Sequence, residues 1–227
     1  MANLQFTRYQ DQRVSSIWTR DQAGAAEGSY FVATNPTPQT GIALTASKTA
    51  EVQTTPDLLI QNNYSTSDVN AKDIIPIRLT MLWTAIPTSI TYLQAVIRLD
   101  NTAAKYTSGG STLAPKNTNT RYGNTTGAVA YAGAITGLTA NATDGRLVYN
   151  GMVSPTVPVI KDSIVFEFGS AAGTVSYENT ASVNSVHTVV VPPVVIGPQW
   201  WFYLNMFGGS SSGGSPAVEL VLEYVER

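Results

Sequence analysis

The sequence predicts an all-β protein: a two-sheet antiparallel jelly-roll sandwich over residues 29–227, preceded by an irregular N-terminal arm over residues 1–28. Short runs rich in β-branched, aromatic and aliphatic residues follow one another from Tyr30 onward, punctuated by Gly, Pro, Asn and Ser. The longest of them alternate with period two, as a strand with one buried face must. No long stretch carries helical spacing between caps, so at most a short turn near Ala171 is expected to be helical.

In chain order, the arm mixes Arg8, Arg13, Arg20, Asp11 and Asp21 with Phe6, Tyr9, Ile17 and Trp18 and keeps no sustained period. Strand-like runs follow at 30–34, 41–45, 57–61, 74–83, 90–99, 129–135, 146–153 and 158–168. Within 74–83, Ile75, Ile77, Leu79, Met81 and Trp83 form one apolar face. Within 90–99, Leu93, Ala95, Ile97 and Leu99 do the same while Tyr92, Gln94 and Arg98 look outward. Both belong in a central sheet, joined across Pro87 by a hairpin or by a longer crossing between sheets.

The chain closes with an apolar run at 186–207, a Gly/Ser stretch at 208–215 and an alternating strand at 216–227, expected to form an antiparallel pair. In the final strand Val218, Leu220, Leu222 and Tyr224 share a face opposite Glu219, Val221, Glu223 and Val225. The preceding run is apolar on both faces, with Trp200, Phe202, Leu204 and Met206 against Trp201, Tyr203 and Phe207. A second layer must cover its outer side, and another subunit is one candidate. Trp200, Trp201, Phe202, Tyr203 and Leu204 are therefore the expected oligomer interface, each buried aromatic removing about 150–250 Å² from water. An immunoglobulin-like sandwich fits less well, because the chain has no cysteine and is about twice that domain's ~100 residues.

Composition excludes several function classes. Charged residues are 12% of the chain, the net charge is −2 and the pI is near 5.3. The thirteen Lys and Arg are scattered singly, which argues against nucleic-acid binding by phosphate neutralisation. Absence of cysteine removes disulfides, thiol chemistry and thiolate zinc sites, and suits assembly in a reducing cytoplasm. The first residues lack the basic-then-apolar design of a signal peptide, and no stretch approaches the ~18 apolar residues of a membrane span, so a soluble protein is expected. The sequons at Asn63, Asn124 and Asn141 then read as loop chemistry.

His187 is the only histidine, so neither a catalytic triad nor a His-based metal site has its parts. No two acidic residues form a recognisable acid/base motif, and the chain is expected not to be an enzyme and to need no cofactor. The stretch Asp68-Val-Asn70-Ala-Lys72-Asp73 superficially resembles a calcium loop, but Lys72 stands at a ligand position and neither the turn Gly nor the terminal Glu is present. The loop at 118–126 could present Tyr122 and its asparagines to a sugar ring, although such loops are more often merely solvated.

Several stretches carry a family likeness: Asn35-Pro-Thr-Pro-Gln-Thr-Gly-Ile-Ala, Thr55-Pro-Asp-Leu-Leu-Ile-Gln-Asn62, the run from Ile97 to Asn117 with its Asp-Asn…Tyr-Thr-Ser-Gly-Gly core, and Val191-Pro-Pro-Val-Val-Ile-Gly-Pro-Gln-Trp200 before a glutamate-rich last strand. Over most of residues 29–227 the chain resembles small virion proteins of tailed bacteriophages, departing from their commoner pattern where Gln199-Trp200 replaces a Gly-Gly turn. The resemblance implies a viral protein with a trimeric, tumour-necrosis-factor-like jelly roll. It implies a decoration or cement protein on the capsid surface, made in the host cytoplasm, with its own copies and the major capsid protein as partners and no catalytic residues to transfer.

The arm is then the expected capsid-attachment element, with Phe6, Tyr9 and Trp18 as anchors and Arg8, Arg13 and Arg20 as cations, or else an extra strand on its own subunit. Competing readings are a fibre-tip or lectin-like host-recognition module using loops around Tyr106 and Tyr122, a single-jelly-roll major capsid protein, and a carbohydrate-active enzyme. Because the ligand types for a strong metal site are missing, chelator should leave the melting temperature unchanged; a fall of many degrees would reveal a site assembled from carboxylates distant in sequence.

Overall fold

Antiparallel pairing nests from the ends of the chain inward. The computed structural model describes residues 20–45, 48–86, 91–102, 105–121, 123–139, 145–169, 185–208 and 216–227. Its elements are a helix α1 (Arg20–Glu27) and strands β1 (Tyr30–Thr34), β2 (Ile42–Ala43), β3 (Leu58–Asn62), β4 (Ile74–Ala85), β5 (Leu93–Asp100), β6 (Tyr106–Leu113), β7 (Lys116–Asn117), β8 (Ala128–Leu138), β9 (Arg146–Ser154), β10 (Ser163–Phe168), β11 (Val186–Val191), β12 (Trp201–Gly208) and β13 (Ala217–Glu226). β1 pairs with β13, β3 with β12, β4 with β10 and β5 with β9, all antiparallel. Successive pairs fall in opposite sheets, ordered β11-β10-β4-β13-β1-β7 and β6-β8-β3-β12-β5-β9. A long hairpin rolled up in this way is a jelly roll, so the two-sheet sandwich expected from the sequence is the fold. The one parallel pairing among the described residues, β10 with β11, widens the first sheet by a strand.

The wrap separates the last two strands. β12 lies in the second sheet and β13 in the first, so the expected terminal pair does not form and the connection crosses the sandwich. β4 and β5 likewise occupy opposite sheets, which selects the crossing over the hairpin. The reason is common to both: in a jelly roll each strand's partner lies at the mirrored position in the chain, not next in sequence.

Facing rows of side chains fill the interior. Val189, Phe166, Leu79, Leu222 and Ala33 stand opposite one another across the first sheet, all essentially buried. Ala132, Leu58, Leu204 and Ile97 make the matching row in the second. Phe31 stacks on Tyr224 at 5.5 Å, and Phe168 meets Phe202 edge-on at 5.7 Å across the core. The face assignments for β5 and β13 hold. In β4 they hold only for Leu79, Met81 and Trp83, because a bulge at Ile77 shifts the register between Glu223 and Tyr224. Ile74 and the strand proline Pro76 turn inward instead, leaving Ile75 and Ile77 half-buried on the outer face.

Other elements depart from expectation. The last part of the arm is the helix α1, closed by a paired cap in which Gly28 N–H donates to Ala25 C=O (3.1 Å) and Ser29 N–H to Gly24 C=O (2.9 Å), with Gly28 at φ 72°. Asp21 in its first turn and Gly28 just past its end are signals the missing periodicity masked. The expected turn near Ala171 lies outside the described residues. β6 escapes detection because Thr, Ser and Gly give it no apolar face, and Gly109 and Gly110, at φ 92° and 71°, carry its register shifts. The 186–207 run is two strands, and the 158–168 run becomes strand only from Ser163.

Phe202, wholly buried between the sheets, should be among the costliest positions to truncate: Phe202→Ala is expected to lower unfolding free energy by about 3–5 kcal/mol. Leu147→Ala, at a residue 52% exposed, should stay within about 0.5 kcal/mol. Denaturant titrations of both variants read the difference.

Candidate functional site

The aromatic strand proposed from sequence as an oligomer surface is covered by its own chain. Phe202 and Leu204 face the main core, while Trp201 and Tyr203 point out of the second sheet into a smaller cluster with Leu59, Ile135 and Leu138. Trp201 is 3% and Tyr203 0% exposed. Trp201 Nε1 donates to Thr102 C=O (3.1 Å), and Lys105 Nζ sits 5.2 Å above the Tyr203 ring. Burial, then the charge of Asp100, pushes the Tyr203 phenol up to about 12. Only Trp200 stays half-buried, its indole stacked 4.5 Å from the Arg146 guanidinium. The four residues Trp201 to Leu204 are thus internal, which corrects their assignment to a subunit interface.

Ionic clamps hold this cover down. Lys105 and Asp100 are both 0% exposed and hydrogen-bonded to each other; Lys105 also donates to Thr139 C=O (2.7 Å), and Asp100 accepts from Thr102 N–H and Oγ1 (2.7 Å each). Burial alone would raise the Asp100 carboxyl, but these hydrogen bonds outweigh it and hold the group below its ordinary value. Lys48 pairs with Asp57 at 2.7 Å and donates to Thr55 C=O (2.8 Å), while Met206 N–H donates to Asp57 (2.6 Å). Arg98 grips Glu51 with two bonds of 2.6 and 2.8 Å. Removing one member of a buried pair typically costs about 3–5 kcal/mol, so these charges are structural. The Glu226 carboxylate is also internal, taken up by Tyr64 OH, Thr126 Oγ1 and Gly127 N–H.

The remaining candidates from sequence are mostly accounted for by local structure. Asp68 accepts from Asn70 N–H (2.9 Å) and so caps its own turn, and among the described residues no three acidic or imidazole groups are placed to hold a metal. Asn117, Asn119 and Asn124 donate to the C=O groups of Gly28 and Ala26, satisfying the end of α1. Tyr106 stacks on Tyr131 at 3.9 Å and donates to Gly109 C=O (2.8 Å). Tyr122 lies outside the described residues, as do Phe6, Arg8, Tyr9, Arg13 and Trp18. Arg20 opens α1. His187 is buried on β11, where burial lowers its pKa against the opposing charge of Asp162.

Two surfaces stand out among the described residues. On the outer face of the first sheet, Val190, Glu167, Arg78, Glu223 and Val32 stand opposite one another strand by strand; the next row is Thr188, Val165, Thr80, Val221 and Thr34. At its α1 end lies a polar groove of about 460 Å³ between Asp21, Tyr30, Ile77, Arg78, Glu167 and Glu223. Arg78 bonds Glu223 at 2.5 Å and Tyr30 OH donates to Glu223 at 2.6 Å, with burial and that bond raising the phenol's pKa. The second surface is apolar: Leu147 and Met152 on β9, Val157, Val159 and Ile160 in the loop after it, and Val186 at the start of β11, each at least 38% exposed. Asp162 ties this loop together by accepting from Val159 N–H (2.6 Å) and Ser185 N–H (2.8 Å). Apolar residues at both parities of the 146–153 run are the sequence signal for this edge. The groove had none, since its carboxylates meet only through cross-strand register.

No family model, curated protein or solved structure matches the chain.

His187 makes stability pH-dependent. Above the unfolded imidazole's pKa of about 6.5 both states are neutral there. As pH falls below that value the unfolded chain takes up the proton first, so stability is lost until pH has passed the lower folded pKa. Thermal melts should therefore show a lower Tm at pH 5 than at pH 7.5, with the fall reduced in His187→Gln. An identical pH profile in that variant would remove His187 from the account.

Proposed function

We propose that this protein is a structural component of a bacteriophage virion: a homotrimeric decoration or cement protein on the capsid surface, bound to the major capsid protein. The observation that carries the reading is the distribution of its open surface. Among the described residues most aromatic side chains are buried, and six of the nine exposed large apolar side chains lie on β9, in the loop after it and at the start of β11, where a patch suits contact between copies. The family resemblance over residues 29–227 supports the same reading, as does a surface low in charge. The trimer contact proposed here therefore involves Leu147, Met152, Val159, Ile160 and Val186 in place of the buried aromatics. The arm bearing Phe6, Arg8, Tyr9, Arg13, Trp18 and Arg20 is the proposed fastening to the head, where three arms acting together would add avidity. A sugar-binding reading is less well supported, because Tyr106 and the loop asparagines already have internal partners.

Light scattering should give about three times the 24.2 kDa chain mass. Val159→Asp with Ile160→Asp should reduce this to one chain without lowering the melting temperature, since neither side chain is in the core. Wild-type trimers should co-sediment with undecorated heads of the parent particle. A monomer at micromolar concentration, or no co-sedimentation, overturns the proposal.

A further inference from the structure

The two buried lysines have different company. Lys105 meets a carboxylate and a backbone carbonyl, whereas Lys48 meets these and a side-chain amide as well. Lys48 Nζ donates to Asp57 Oδ2 (2.7 Å), to Thr55 C=O (2.8 Å) and to Asn205 Oδ1 (3.3 Å). The side chains of Lys48 and Asp57 are 5% and 1% exposed, and Asn205 is wholly buried. Asp57 N–H donates to Leu204 C=O (2.8 Å) and Met206 N–H donates to Asp57 Oδ2 (2.6 Å), so the acid is tied to the residues on either side of Asn205. Gly208 N–H donates to Lys48 C=O (2.9 Å), which fastens the lysine to the end of the same strand.

Ion pairing accounts for Lys48 and Asp57 but not for Asn205. Its amide nitrogen Nδ2 is buried without a hydrogen-bond partner, a costly place for a group with two donors, while its oxygen is polarised by the lysine. An amide held in this way is an acyl group with its leaving nitrogen free. Burial raises the Asp57 carboxyl above its ordinary pKa against the pull of Lys48, which favours moving a proton from the ammonium to the carboxylate and freeing the Nζ lone pair. Burial of all three side chains keeps bulk water from competing as the nucleophile. Beside the pair, Leu44, Trp83, Leu93 and Met206 wall a cavity of about 30 Å³, room enough for a departing molecule the size of water. At Asp100, by contrast, burial is outweighed by hydrogen bonds from Lys105 and Thr102 that hold the carboxyl below its ordinary value, and Lys105 meets no side-chain amide among the described residues.

We infer that the folded chain joins Lys48 to Asn205 through an isopeptide bond of its own making, with Asp57 as the acid–base group. The Nζ–Cγ bond forms as the carbonyl electrons move to Oδ1; the C=O then re-forms as the Cγ–Nδ2 bond breaks and the nitrogen leaves as ammonia. Of the three ammonium protons, one remains on the new amide, one is carried by Asp57 to the leaving nitrogen, and one stays on the Asp57 carboxyl. Nothing is oxidised or reduced, and no co-reactant is consumed. The ion pair is the state that folding assembles, and the bond follows from it. It closes a loop between positions 157 apart in sequence, fixing the segment that covers the second sheet to β12. This belongs to the isolated chain and does not rest on the virion reading.

The intact mass of the purified full chain should lie one ammonia below that of its sequence, counted with or without Met1. A tryptic digest should contain one branched peptide joining Lys48 to Asn205, with no cleavage after Lys48. Lys48→Met and Asn205→Ala should each show the full mass of their sequences, and Asp57→Asn should leave most chains unlinked. In denaturing gels the wild type, closed into a loop, should run ahead of Lys48→Met. A wild-type chain at full sequence mass overturns the inference, and that measurement needs no variant to fold. Ammonia loss that persists in Lys48→Met would mark a succinimide at an asparagine, and loss of water instead would mark a lysine–aspartate bond; either result also overturns it. Full linkage in Asp57→Asn would overturn the part given to Asp57.

Discussion

The outward face of β12 is the constraint on which the rest of this structure turns. A central strand that presents Trp201 and Tyr203 away from the core cannot face water in a sandwich of two sheets. The chain solves this internally, by drawing two connecting segments over the face and fastening each with a buried lysine. Lys105 spans Asp100, the Thr139 carbonyl and the Tyr203 ring; Lys48 spans Asp57 and the Thr55 carbonyl. These ammonium groups stabilise the fold only because each finds a carboxylate and further acceptors, without which their desolvation would exceed any gain. Two lysines in a chain with few charges are thus committed to architecture.

This internal cover changes where an interaction surface can lie. Had the aromatics been bare, the centre of the second sheet would have been the contact. With them buried, the open apolar area shifts to the β9 edge and the loop organised by Asp162, and the open polar area to the outer side of the first sheet. Edge strands carry unsatisfied backbone groups as well as side chains, so they are natural places for a second copy to pack. The acidic groove is different in kind. It arises because a bulge at Ile77 offsets the alternation of β4 just where Arg78 meets Glu223, and α1 closes one end.

What the sequence by itself determined was local. Period-two alternation placed the buried faces of β5 and β13, and the succession of short apolar runs between turn residues settled the all-β class, because side-chain direction in a strand depends only on parity. The final strand's Val218, Leu220, Leu222 and Tyr224 could be read as core without any knowledge of their partner. The two apolar faces of β12 were equally legible, together with the need for a cover.

Tertiary structure alone decided who pairs with whom and what lies on top. Adjacent runs suggest hairpins, yet the jelly-roll wrap sends β12 and β13, and β4 and β5, to opposite sheets, since pairing at mirrored chain positions involves contacts that no local pattern encodes. A one-residue bulge reversed the outer and inner faces of β4 at Ile75 and Ile77, and no propensity distinguishes that from unbroken alternation. No local pattern marks Lys48, Lys105, Asp57 and Asp100 for burial, because burial of a charge is set by the partner that folding brings to it and not by its neighbours in sequence. The meeting of Glu167, Arg78 and Glu223 likewise exists only through the register of three strands far apart in the chain.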